Sequence, residues 1–123
     1  MPVFFAFSLV FIGGGLGSIC RYALYLLLRP WQTQFPWGTF AANALACLAL
    51  GLLLGAPQTA WLSDQKRLLL LTGFCGGFST YSTFTAETWG LWQNGQLGAA
   101  LANALLHFGV CTVCLLLGLK ITS

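Results

Sequence analysis

The chain has 123 residues, of which 58% are hydrophobic and 6% charged, and its mean hydropathy is +0.82. A soluble domain carries about 25% charged residues, so this chain cannot cover a water-facing surface, and lipid must face most of it. The net charge of +3 comes from Arg21, Arg29, Lys66, Arg67 and Lys120, which are scattered and form no patch, so a nucleic-acid partner is excluded.

A spanning helix needs roughly 20 mainly apolar residues, and four such spans use up the chain. The first is predicted from about 3 to 28. Its start lacks a basic segment and reads as a spanning helix, not a cleaved leader. A loop follows at Arg29-Pro30-Trp31-Gln32-Thr33-Gln34-Phe35-Pro36, where Pro36 suits a first helical turn. The second span is predicted from about 37 to 56. After the loop from Pro57, Ser63 or Asp64 can cap the third span, predicted from about 66 to 92. Asn94-Gly95 is a turn signal, and the fourth span is predicted from about 97 to 119, closed by Lys120. All five tryptophans (Trp31, Trp37, Trp61, Trp89, Trp92) fall at span ends, where amphipathic rings collect at membrane surfaces. Five cysteines inside apolar runs, without extracellular loop spacing, argue against a disulfide framework.

Polar groups inside a membrane are costly and therefore informative. Residues 73–84, Gly-Phe-Cys-Gly-Gly-Phe-Ser-Thr-Tyr-Ser-Thr-Phe, combine adjacent glycines with hydroxyl and β-branched residues that weaken a helix. Non-helical backbone at membrane depth is tolerated only when buried in protein or lining a polar cavity. Freed carbonyls there suit a cation, and the hydroxyls of Ser79, Thr80, Ser82 and Thr83 can donate to an anion. The competing reading is small-residue packing, with each hydroxyl bonded back to the preceding turn. Asn43, inside the second span, is either a pore amide or an interhelical bond. Arg21 is either a snorkelling anchor or part of an electropositive vestibule. Glu87 is an intramembrane carboxylate near the tryptophan belt. Gly13-x-x-x-Gly17 reads as close helix packing, His107 as a hydrogen-bonded structural histidine, and Cys111 with Cys114 as small apolar packing on one helical face. No nucleophile–base pair appears, so an enzyme is not expected. Four helices enclose too little volume for a wet pore of their own, so an ion would pass at an oligomer interface.

These residues resemble the Fluc (CrcB) family of bacterial fluoride channels over nearly the whole chain. The resemblance is carried by Gly13-Gly14-Gly15-Leu16-Gly17-Ser18 with Arg21-Tyr22, by Pro36-Trp37-Gly38-Thr39 followed by Asn43 and Gly51, and most specifically by residues 73–84 followed by Glu87. It implies an all-α membrane protein with four transmembrane helices and a broken third helix, assembled as an antiparallel, dual-topology homodimer. It also implies passive fluoride export from the bacterial inner membrane. Asn43, Tyr81, Ser82, Thr83 and Phe84 would line the fluoride pathway, with Arg21 and Glu87 in a vestibule. The carbonyls of Gly76 and Ser79 would hold a structural sodium ion at the dimer centre. Two residues depart from the family's pattern: Tyr81 stands where phenylalanine is usual, and Cys111 where a serine is usual.

Charge counting agrees with dual topology only weakly. The side with both termini holds Lys66, Arg67 and Lys120, and the other holds Arg29, with Arg21 if it snorkels that way. Two other functions fit a chain of this kind. A small multidrug-type exporter would want a carboxylate in the first span, which has none. A non-conducting scaffold would use Asn43 and the glycines only for packing.

Overall fold

The computed structural model describes residues 1–32, 35–57 and 62–123, and these are helical with no strand among them. Helix α1 is Val3–Leu28, followed by a 3-10 turn at Arg29–Trp31. Helix α2 is Trp37–Gly55, entered from Pro36. The next helical run starts at Asp64–Arg67, widens into π-helical turns over Leu68–Cys75 and ends in an α turn at Gly76–Phe78. These three pieces are continuous and together form α3, residues 64–78. Helix α4 is Tyr81–Gln93 and helix α5 is Leu97–Thr122.

Local chemistry sets these boundaries. The Ser63 hydroxyl accepts from the Lys66 N–H at 3.4 Å, capping α3. Gln32 clasps the α1–α2 turn, donating to the Tyr25 carbonyl at 2.9 Å and accepting from the Gly38 N–H at 3.2 Å. Gly95 takes φ +78° in the turn after α4, a conformation that suits a residue without a Cβ.

Three helices, Val3–Trp31, Trp37–Gly55 and Leu97–Thr122, are long and apolar enough to cross a membrane. Neither α3 nor α4 is long enough alone, but end to end their rise of about 1.5 Å per residue exceeds a hydrocarbon core of about 30 Å. Trp31, Trp37, Trp89 and Trp92 are all exposed near helix ends; Trp61 lies outside the described residues.

Helix pairing rests on glycine. Lipid is as apolar as leucine, so helices in a bilayer associate through close packing and hydrogen bonds. A Cβ on Gly13 would run into the Leu69 carbonyl, and one on Gly17 into the Phe74 carbonyl. The same holds for Gly51 against Leu115 and Gly55 against Leu119. In both pairs the residue numbers rise together, so α1 lies parallel to α3, and α2 parallel to α5. That is the arrangement an alternating up-and-down path requires. Few side chains are buried in the core, chiefly Ala42, Ala46 and Phe78 with Leu24 and Phe74 against them.

Candidate functional site

Between α3 and α4 the chain leaves helical geometry for two residues. Ser79 has φ −82°, ψ 155°, and Thr80 has φ −151°, ψ 117°. In a continuous helix the Thr80 N–H would donate to the Gly76 carbonyl. Here it donates to Asn43 Oδ1 at 2.7 Å, while Asn43 Nδ2 donates to the Thr80 carbonyl at 3.2 Å. The Asn43 carboxamide therefore takes the place of a neighbouring strand. It satisfies both backbone groups of the residue at the interruption, which would otherwise be orphaned in a low-dielectric setting. One amide hydrogen of Asn43 stays uncommitted by these two bonds.

Each helix end at the interruption has its own cap. The Gly77 carbonyl, near the negative end of α3, accepts from Arg21 Nε at 3.2 Å, with the Ser18 hydroxyl at 3.5 Å. On the other side Thr80 caps α4, accepting from the Thr83 N–H at 3.3 Å, with its hydroxyl 3.1 Å from Thr83 Oγ1 and 3.4 Å from Ser82 Oγ. Ser79 bonds back to the Cys75 carbonyl at 2.9 Å, the packing use of a hydroxyl. Thus the polar residues divide between bracing the backbone (Asn43, Ser79, Arg21) and forming a hydroxyl cluster at the positive end of α4 (Thr80, Ser82, Thr83).

Around the interruption lies a cavity of about 420 Å³ lined by Asn43, Ser79, Thr80, Tyr81, Phe84 and His107 among others. Tyr81 is 80% exposed in the isolated chain. Its ring centroid is 5.8 Å from that of Phe84, and Phe84 lies 4.3 Å from the His107 ring. Arg21 and Thr83 meet in a separate cavity of about 230 Å³ with Thr39 and two tyrosines. Gly76 and Ser79 border a third of about 160 Å³, and Glu87 a fourth of about 290 Å³ with Gln32, Asn94 and Gln96. Glu87 Oε1 is buried and has no hydrogen-bond partner among the described residues. So Asn43, Tyr81 and Phe84 border one cavity, Arg21 and Thr83 a second, and Glu87 another. Ser82 is exposed beside Thr80.

Two relationships were not read from the sequence. One is the Arg21 bond to Gly77, although Gly13, Gly17 and Arg21 are spaced by four and so share the α1 face that meets α3. The other is a polar line across α4 and α5. Asn103 Nδ2 donates to Thr88 Oγ1 at 2.8 Å, and Thr88 bonds back to the Phe84 carbonyl at 2.8 Å. No spacing within α4 or α5 foretells that contact.

The chain matches the family described as "CrcB-like protein, Camphor Resistance (CrcB)" over residues 8–119. Among relatives, a protein of Phocaeicola vulgatus named fluoride-specific ion channel FluC is 43% identical over 88 residues, covering 71% of this chain and 73% of its own. Two others carry the same name. The Serratia proteamaculans protein is 41% identical over 88% of this chain and 86% of its own. The Azobacteroides pseudotrichonymphae protein is 37% identical over 94% of each. These relatives are named as ion channels, not enzymes. With its long apolar helices, the chain is a multi-pass protein of the bacterial inner membrane. It belongs to the CrcB family.

Proposed function

We propose that this chain forms a passive, fluoride-selective channel that lowers cytoplasmic fluoride. Residues 1–123 make one four-helix transmembrane unit, and two copies pack antiparallel with the ion pathways along their interface. The observation that carries this reading is the interruption between α3 and α4. It is held by Asn43, it opens on the hydroxyl-bearing start of α4, and it sits in a chain whose relatives are named fluoride-specific channels.

Fluoride is small and holds water tightly, so a pathway must replace that water with close donors. The remaining amide hydrogen of Asn43, the Ser82 and Thr83 hydroxyls and the positive end of α4 supply them. Aromatic ring edges carry partial positive charge, so Phe84 and Tyr81 can face the anion edge-on; the Tyr81 phenol adds a donor of its own. Arg21 beside Thr83 and the Glu87 cavity form the vestibule. Because Arg21 is tethered to Gly77, its charge is fixed near the pathway and is not free to snorkel.

A structural sodium ion fits the same interruption. With the Thr80 N–H given to Asn43, the Gly76 carbonyl loses its helical donor, and Gly76 is exposed on the chain's surface. The Ser79 carbonyl lies in the extended stretch. These two oxygens, with those of a second copy, would hold a hard cation, which supplies fixed positive charge and links the subunits.

Fluoride efflux from liposomes, in chloride and without a proton gradient, tests the reading. Rapid efflux is expected. Proton-dependent exchange of organic cations would replace it with an exporter, and no flux from verified dimers with a scaffold. Asn43→Ala and Asn43→Asp are both expected to suppress efflux with the dimer retained; undiminished flux in both removes Asn43 from the pathway.

A further inference from the structure

We propose that the cavity between α2, α4 and α5 is a binding site for a soft d10 cation of the Ag+ class, bridged by the sulfurs of Cys47 and Cys111. The parallel α2–α5 contact creates the pair. Gly51 and Gly118 bring the two backbones close enough that a Cβ on either would strike the other helix. Cys47 lies one turn before Gly51, and Cys111 two turns before Gly118. Both also lie one turn before the Gly51–Leu115 contact on parallel helices, which sets them at the same level of the α2–α5 seam. Both border the cavity of about 420 Å³.

His107 adds a base to the same cavity. Its side chain is 5% exposed, and it borders the same cavity. Nδ1 lies 3.1 Å from the Asn103 carbonyl. A carbonyl oxygen only accepts, so Nδ1 carries the proton and Nε2 presents a bare lone pair. Nε2 is buried and has no partner among the described residues. The ring is held between Phe40 and Phe84, at 5.2 and 4.3 Å. The ring does not converge with the two cysteines on one point, so its bare nitrogen serves beside the pair as a proton acceptor and not as a ligand.

The donor set selects the metal. No Asp, Glu, Lys or Arg borders this cavity, so hard cations find no carboxylate there. Among the described residues no three His, Cys, Asp or Glu groups converge to hold one ion, which disfavours tetrahedral zinc. Thiolates select soft ions, and Ag+, Cu+ and Hg2+ accept two collinear sulfurs. On binding, two S–H bonds break and two S–Ag bonds form. One of the two protons passes to His107 Nε2 and the other leaves to solvent. The silver, two thiolates and imidazolium then sum to zero charge, which suits a site of low dielectric. If the chain conducts fluoride as proposed, an ion there would occlude the anion pathway; the metal site itself does not depend on that function.

The test uses the full chain with Cys20, Cys75 and Cys114 changed to alanine, purified as a monodisperse species in chloride-free nitrate buffer. Silver nitrate is added with excess glutathione as competitor, and retained silver is counted after gel filtration. One silver per chain is expected. Cys47→Ser or Cys111→Ser, each added to that background, should weaken retention by at least about 100-fold, above the range for losing a group that only supports a ligand. His107→Gln should weaken it less. Two silver ions per chain, or retention unchanged by removing either thiol, would overturn the shared site. In the unmodified sequence silver should block fluoride efflux, and Cys47→Ser should relieve the block relative to that variant's own uninhibited rate. Retention without block would uphold the metal site and detach it from the pathway. No efflux even without silver would count against the channel, while retention still decides the site.

Discussion

The Thr80 N–H has two acceptors within the reach of simple backbone geometry, and it takes the Asn43 amide instead of the Gly76 carbonyl. That choice keeps the chain extended at Ser79 and Thr80, because a second bond to the Thr80 carbonyl rewards the same geometry. Asn43→Ala removes both at once and leaves a donor and an acceptor away from water, at about 1–3 kcal/mol for each unsatisfied group. The expected result is a lower melting temperature in detergent and faster amide exchange at Thr80. An amide as protected as in the parent would mean that the helix had closed over the gap without help from Asn43. Arg21 acts similarly at the other end. Arg21→Leu should cost about 1.5–3 kcal/mol, the scale of a hydrogen bond from a charged donor, read in the same melting assay; Arg21→Lys, which keeps the charge near the end of α3, should recover part of it. The sequence marks Asn43 and Arg21 as polar groups inside apolar spans, but leaves Asn43 between a pore amide and an interhelical bond and Arg21 between an anchor and a vestibule charge. It does not mark their partners. A bond from α2 to Thr80, 37 positions away, depends on how far one helix slides along another, and no single helix encodes that offset.

At the scale of helices, glycines decide which faces meet, and they divide into two kinds. Gly13, Gly17, Gly51 and Gly118 each sit where a Cβ would strike backbone that cannot rotate away. Gly15 and Gly109 have open space around them. Gly17→Ala or Gly51→Ala should therefore force the helices apart, at about 1–3 kcal/mol or more. Gly15→Ala should be neutral or stabilising by about 0.5–1 kcal/mol, because a helical glycine without a packing role only adds backbone entropy to the unfolded state. Thermal melting of the three variants in one detergent ranks them; equal effects at Gly15 and Gly17 would contradict the packing assignment. Periodicity cannot separate the two kinds. The run Gly13-Gly14-Gly15-Leu16-Gly17 places glycine on more than one face, and only the position of α3 shows which face is used. The long apolar helices were easier to read, because hydrophobic length alone specifies them. The π-helical turns of Leu68–Cys75 carry no sequence signal of their own.

For the whole molecule, the pairing of α1 with α3 and α2 with α5 puts both termini and the start of α3 at one end. Lys66, Arg67 and Lys120 lie toward that end, and Arg29 with the tethered Arg21 toward the other. Lys/Arg bias orients a membrane chain, and this bias is too small to choose one orientation. An antiparallel pair needs both orientations, so the weakness of the signal is itself a requirement of the proposed assembly. The consequence can be tested by loading each end in turn. Gln65→Lys with Ser123→Lys strengthens the terminal end. Gln93→Lys with Lys120→Gln strengthens the other, and all these positions are exposed. A reporter fused after Ser123 should appear on both sides of the membrane for the parent and on one side for each variant. Each variant expressed alone should then transport fluoride near the protein-free background, and the two co-expressed should recover it. Either variant conducting as well as the parent while fixed in one orientation would show that the pathway does not need an inverted partner.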